Sequence, residues 1–298
     1  MAAEIPAPEY VAPTSISEVV AALTGAADGK ARVLAGGTDL LVQMRSLANW
    51  PHRIVDLKRV PELTRIEVDA DVLRIGAAVP AVEIVEHAQL RALIPGLVEA
   101  TDLIGSTQIQ GRATLGGNLC NASPAADTLP AMIVLGATCV VVGPGGERTV
   151  PVAEIATAPG QTSLSVGEFV SEIMIARPPA GSGDAYLRLI PRSEMDIAIV
   201  GAGACVHIDA AGVCSHAQVA IGAVAPTARV VPDAGAALLG SSLDEPALER
   251  MQEAVRAACA PIDDKRGTVA YRTKVAGVLA RRATAIAAER ARSTLGGS

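Results

Sequence analysis

Two glycine pairs hold the residues best suited to chemistry in this chain of 298 residues. The first lies in the run Arg32, Val33, Leu34, Ala35, Gly36, Gly37, Thr38 and Asp39, with a strand-like segment before the turn and a helix-like one after it. Paired glycines permit positive φ and let the backbone approach a ligand closely. A helix start that follows offers free N–H donors and a positive dipole end, which suits a pyrophosphate. A plain strand-to-helix turn, with Thr38 as N-cap, reads the same way. The run is not Gly-x-Gly-x-x-Gly, so a Rossmann nicotinamide site is not supported.

The second pair belongs to Thr114, Leu115, Gly116, Gly117 and Asn118, and the stretch continues to Asp127. Five short hydrogen-bonding side chains stand here (Thr114, Asn118, Asn121, Ser123 and Asp127) with few bulky groups among them. Such a stretch builds no core of its own, and a buried polyhydroxylated ligand is a fitting guest. A long surface loop is the competing reading. Cys120 lies inside the run; a small tolerated residue is favoured over a redox thiol.

The elements that must position these turns follow from periodicity. Ser15 and Glu18 form a capping-box pattern opening a helix, with Ile16, Val19, Val20 and Leu23 on one face. A strand at 31–34, a helix through Leu40, Leu41, Met44 and Leu47, and a strand at 53–57 complete a small α/β unit. Alternation at 65–68 and 72–76 predicts strands, then helices at 81–93 and 96–104, a glycine-rich loop over 111–122 and a helix at 126–135. Strands flank the hairpin signal from Gly143 to Gly146, and 169–175 closes a second α+β unit. Residues 177–183 read as a linker; beyond it come strands at 185–190, 197–208 and 216–224, then helices at 245–258 and 269–291.

Composition narrows the class. Half the residues are apolar but only 2% are aromatic, so the core must be built from Ala, Val, Ile and Leu. A net charge of −6 and few stacking aromatics argue against nucleic acid. The longest apolar run, 131–142, is broken by Gly136 and Thr138 and too short to span a bilayer despite a mean hydropathy of +0.37. No signal-peptide pattern opens the chain, so the expected compartment is the cytoplasm. Five cysteines without a CxxC pair and four scattered histidines give no metal, iron–sulfur or disulfide framework, and His207 and His216 read as ordinary strand residues. Cations at Arg272 and Lys274, near the start of the last helix, suggest an acidic partner surface or ligand.

The two glycine motifs together resemble the FAD-binding signatures of the xanthine dehydrogenase / aerobic carbon monoxide dehydrogenase flavoproteins, the medium subunits of molybdenum hydroxylases. Tyr186, Arg192, Asp196, Ile197 and Ala198 resemble the start of that family's C-terminal domain, and the segments 260–264 and 270–278 its tail. The resemblance covers the whole chain. It implies an α+β fold: a two-lobed PCMH/vanillyl-alcohol-oxidase-type FAD-binding domain over 1–177, with lobes of about 1–57 and 58–177. A C-terminal domain of the carbon monoxide dehydrogenase flavoprotein type follows over 183–291.

The resemblance further implies that Arg32 to Asp39 wrap the FAD pyrophosphate, while Thr114, Gly116, Gly117, Asn118, Asn121 and Asp127 hold the remaining phosphate, ribityl and adenosine groups. Arg188 matches a family lysine near the flavin, where a cation stabilises an anionic reduced ring. Ile197 matches a position beside the isoalloxazine, and Ile104 one that is aromatic in some relatives. No residue is expected to be catalytic in its own right or to bind metal. The implied partners are a molybdenum-cofactor large subunit and a two-iron iron–sulfur small subunit, assembled as a dimer of heterotrimers, with contact to the inner face of a membrane only through partners. The other two readings are a stand-alone FAD-dependent oxidoreductase of the same fold and a non-redox binding module. The substrate of the complex is not encoded in this chain.

Overall fold

The structure is a computed structural model that describes residues 7–26, 30–46, 50–193 and 195–295. Leu47, placed in the second expected helix, lies outside the described residues. The chain opens with β1 (Glu9–Val11) and α1 (Ile16–Thr24), where Ser15 Oγ accepts the Glu18 N–H. Strand β2 (Ala31–Leu34), the one-turn helix α2 (Leu40–Gln43) and β3 (Arg53–Asp56) follow. These strands form a parallel sheet in the order β1-β3-β2. Parallel pairing brings both outer strands onto β3, and the turn after β2 emerges at the sheet's carboxyl edge, where open parallel sheets bind ligands.

The second lobe is an antiparallel sheet of β4 (Ile66–Val68), β5 (Val72–Gly76), β6 (Thr138–Gly143), β7 (Gly146–Pro151) and, beyond the small hairpin of β8 (Ala156–Ala158) and β9 (Gln161–Thr162), β10 (Phe169–Ala176). Its order is β4-β5-β10-β6-β7. Between β5 and β6 run six helices: α3 (Ala81–Glu86), α4 (Ala88–Leu93), α5 (Pro95–Asp102), α6 (Thr107–Gln110), α7 (Leu115–Cys120) and α8 (Thr128–Val134). Two expectations change here. The helix expected over 81–93 divides at His87, whose Nδ1 accepts the Leu90 N–H and caps α4. The expected loop over 111–122 contains a helix, because Thr114 caps it and Leu115 and Leu119 bury themselves under it.

The C-terminal part is an antiparallel meander of β11 (Ser182–Leu189), β12 (Val200–Ile208), β13 (Cys214–Gly222) and β14 (Arg229–Val230), backed by α9 (Pro232–Ala236), α10 (Glu245–Ala258) and α11 (Val269–Leu295). Strand β11 begins at Ser182, inside the segment read as a linker. Alanines at 276, 280, 283, 287, 288 and 291 line α11 against the sheet. The approach is so close that a Cβ on Gly183 would stand 2.2 Å from the Ala287 carbonyl oxygen. Every residue of α8 is buried, and its other side meets β12 and β13 where Gly203 and Gly222 leave room for Pro130. Among the described residues no helix is long and apolar enough to cross a membrane.

Candidate functional site

The first glycine turn is shaped by what lies behind it. A Cβ on Gly36 would fall 2.0 Å from the Arg112 carbonyl oxygen, so only glycine lets the turn rest against residues 112–113. Gly37 takes φ +84°. Neither the position nor the side chain of Thr38 caps α2; Asp39 occupies the N-cap without a side-chain bond. Among the described residues none accepts a hydrogen bond from the backbone N–H of Gly36, Gly37, Thr38 or Asp39. Gly36 is buried and Gly37 and Thr38 partly so, and successive N–H groups without a protein acceptor make a concavity suited to acceptor oxygens.

Cations surround the turn. Lys58 Nζ donates to the Ala35 carbonyl at 3.2 Å and to Asp56 Oδ1 at 2.6 Å. Asp56 also accepts Tyr10 OH at 2.5 Å. Burial opposes ionisation of Asp56, but the hydrogen bonds from Lys58 and Tyr10 outweigh it and hold its carboxyl below the usual range. Arg112, an exposed residue, donates from Nε to the Gly36 carbonyl at 3.3 Å. Sequence reasoning missed Lys58 and Arg112: nothing in their local spacing announces a contact across 23 or 76 residues.

The second motif builds a short capped helix beside the first. Thr114 Oγ1 accepts the Gly117 N–H at 2.9 Å, and a Cβ on Gly116 would meet the Ala77 carbonyl at 2.6 Å. Thr128 Oγ1 donates to Asn118 Oδ1 at 2.6 Å, and Gln43 Nε2 donates to Asn121 Oδ1 at 2.9 Å. The Arg112–Gly36 and Gln43–Asn121 contacts thus tie the two glycine motifs into one surface. Cys120 has its thiol pushed up to about 12 by burial, which removes the thiolate a redox role needs.

Asp127 connects this surface to the C-terminal sheet. Its Oδ1 accepts Tyr186 OH at 2.9 Å and its Oδ2 accepts Arg188 NH1 at 2.7 Å. Burial lifts its carboxyl, while the Arg188 charge and both hydrogen bonds pull it back. The Arg188 side chain is only 7% exposed, and its Nε is buried without a partner. Tyr186, which the sequence offered only as part of a resemblance and not as a site residue, shares a face of β11 with Arg188 because the two are two residues apart.

Other expected positions stand outside this network. Arg32 and Val33 belong to β2 itself, and Arg32 is exposed. Ile104 closes the turn after α5, half-buried, its N–H on the Thr101 carbonyl. Ile197 is 54% exposed beside Asp196, which accepts Arg192 Nε at 2.9 Å. Of the two cations expected to face a partner, Lys274 is exposed, whereas Arg272 is buried, pairs with Asp264 at 2.6 Å and donates to the Ile199 carbonyl at 3.0 Å. That internal ion pair offsets the unfavourable cation at the start of α11. His207 bonds Ser215 Oγ and the Ala180 carbonyl, as an ordinary strand histidine does.

Comparison with known proteins places these features in a wider group. The description "FAD binding domain in molybdopterin dehydrogenase" matches residues 5–178, and "CO dehydrogenase flavoprotein C-terminal domain" matches 185–287. The chain is 35% identical over 285 residues to the carbon monoxide dehydrogenase medium chain of Afipia carboxidovorans, covering 96% of this chain and 98% of that one. It is 31% identical to a putative xanthine dehydrogenase FAD-binding subunit of Escherichia coli, covering 82% and 84%. The solved carbon monoxide dehydrogenase of Hydrogenophaga pseudoflava superposes with a TM-score of 0.91 at 34% identity, over 96% of this chain and 98% of that one.

Proposed function

This chain belongs to the family of FAD-binding subunits of molybdopterin dehydrogenases, and on that premise we propose that it relays electrons from an iron–sulfur subunit to an external acceptor. Its cofactor is FAD, and it is an oxidoreductase subunit. The residues present fit that group: open backbone donors at Gly36 to Asp39, the close approach that Gly36 permits, and the orphaned Nε of the buried Arg188. FAD, when bound, supplies the one- and two-electron chemistry that joins single-electron centres to two-electron acceptors.

The chain's own residues then do the holding. The backbone of 35–39 receives the pyrophosphate, with Lys58 and Arg112 adding positive charge at its back. Thr114, Gly116, Gly117, Asn118 and Asn121 present the polar wall for phosphate and ribityl oxygens. Ile104 and Ile197 flank the ring, and Arg188 sets the charge near it. Residues 1–177 carry the cofactor and 183–291 close over it. Partners of the complex are a molybdenum-cofactor large subunit and a two-iron small subunit, as a dimer of heterotrimers in the cytoplasm. Substrate choice belongs to the large subunit.

The observation that carries the reading is the union of the two glycine motifs into one donor-rich surface. Recombinant chain that comes off the column yellow and releases FAD on heating supports it; colourless protein that takes up no FAD ends it. Pull-down from the source cell, with molybdenum and iron measured in the captured material, tests the partners. A chain that turns over an organic substrate alone and captures neither metal contradicts the relay.

A further inference from the structure

We infer that Gln43 is a positioning residue that clasps the two glycine motifs around the cofactor and sets how long FAD stays bound. The inference rests on the FAD reading above. The motifs are joined at two places. Near their beginnings Arg112 Nε donates to the Gly36 carbonyl, and at their ends Gln43 Nε2 donates to Asn121 Oδ1. Along the chain, the open N–H groups of residues 37–39 fall between Gly36 and Gln43, and Thr114 and Asn118 fall between Arg112 and Asn121. A phosphate held by both motifs is thus bracketed at both ends.

The two ends are not held equally. The first is wedged: a Cβ on Gly36 would fall 2.0 Å from the Arg112 carbonyl oxygen, and one on Gly116 2.6 Å from that of Ala77. Helix α7 is further fixed by the burial of Leu115 and Leu119. Helix α2 has no such support. It is four residues long, buries none of them, and leaves Leu41 and Val42 exposed by 57% and 59%. Among the described residues, Gln43–Asn121 is the one hydrogen bond from α2 to the second lobe. Segments with few buried contacts open at low cost, so this is the end where the cleft yields, and the side-chain bond holds it closed. With Oδ1 turned to Gln43, the Asn121 Nδ2 group is left to donate to acceptor oxygens of the ligand. Gln43 needs no contact of its own with the cofactor; it acts through Asn121.

The test separates FAD release from FAD uptake by stopped-flow flavin fluorescence. Uptake is followed on mixing FAD with apoprotein, and release on mixing holoprotein with an excess of a second FAD-binding apoprotein. Gln43→Met keeps the length of the side chain and removes its amide. It should speed release by about three- to tenfold, the scale of one neutral hydrogen bond, and leave the uptake rate within about twofold. The melting curve of the apoprotein should superimpose on the wild type, because the position is exposed and touches no core. In an Asn121→Ala background, Gln43→Met should change release by no more than about twofold. In Asn121→Asp, which keeps the acceptor, its effect should persist, and this pair serves alone if Asn121→Ala does not fold. Release that stays at the wild-type rate in Gln43→Met would overturn the inference. So would a faster release that is undiminished without Asn121, or one that comes with a lower melting temperature. Wild-type apoprotein that takes up no FAD would instead end the parent reading.

Discussion

Asp184, on the first strand of the C-terminal sheet, accepts the N–H of Leu97 in the first turn of α5 at 3.1 Å. The contact crosses between the two domains, and Gly96 makes room for it: a Cβ there would sit 2.6 Å from Asp184 Oδ2. Arg290 on α11 reinforces the seam, donating to the Asp184 carbonyl at 2.8 Å and pairing with Glu99. Burial pushes the Asp184 carboxyl up to about 7 against the pull of the Gly96 and Leu97 N–H groups and of Arg290. A carboxyl whose folded value lies above its unfolded one, near 3.9, binds more proton when folded. Its ionisation therefore lowers stability progressively as pH rises from about 4 to about 7, and the penalty is constant above that. Asp184→Asn keeps an acceptor for Leu97 and removes the charge. Urea unfolding from pH 4.5 to 8 should show the variant gaining on the wild type by up to a few kcal/mol across this window; parallel curves would refute the assignment.

Gly36→Ala tests the first glycine turn. Its Cβ would meet backbone at 2.0 Å, which no rotamer can relieve. The expected cost is about 2–4 kcal/mol of stability together with at least about tenfold weaker FAD binding, since turn and motif must separate. Gly145→Ala is the control: that position faces open space, and its change should stay within about 0.5 kcal/mol. Thermal melts and FAD titration of both variants decide the matter.

Lys58→Met tests the cation behind the turn. Asp56, with its side chain 8% exposed, loses its main partner while keeping Tyr10. A depressed carboxyl contributes stability that is present above its unfolded value and lost as pH falls through its folded one. Without Lys58 that contribution shrinks, so the acid-unfolding midpoint should move to higher pH, with about 1–3 kcal/mol lost at pH 7. Circular dichroism during acid titration would show it, and an unmoved midpoint would count against the ion pair.

Local patterns in the sequence announced much of this. The capping box at Ser15, the alternating strands and the two glycine motifs follow from neighbours in the chain, which is where propensity and turn chemistry act. The helix within 111–122 stayed hidden because glycine and asparagine are poor helix formers; burial of Leu115 and Leu119 outweighs that preference. The contacts of Lys58, Arg112 and Tyr186 stayed hidden because their partners lie 23, 76 and 59 residues away. Arg272 looked like a surface cation because its counter-charge, Asp264, sits in a loop with no pattern of its own.

Helix α8 begins at the residue after Asp127 and is buried between the second-lobe sheet and the C-terminal sheet. Pro130 fits a notch cut by Gly203 and Gly222, so the two domains, each with its own core, interlock at this point. Chimeras joining the first part of one relative to the last part of another must therefore match this notch as well as the covalent junction. In any such exchange α8 and the sheet that receives Pro130 would have to travel as a pair.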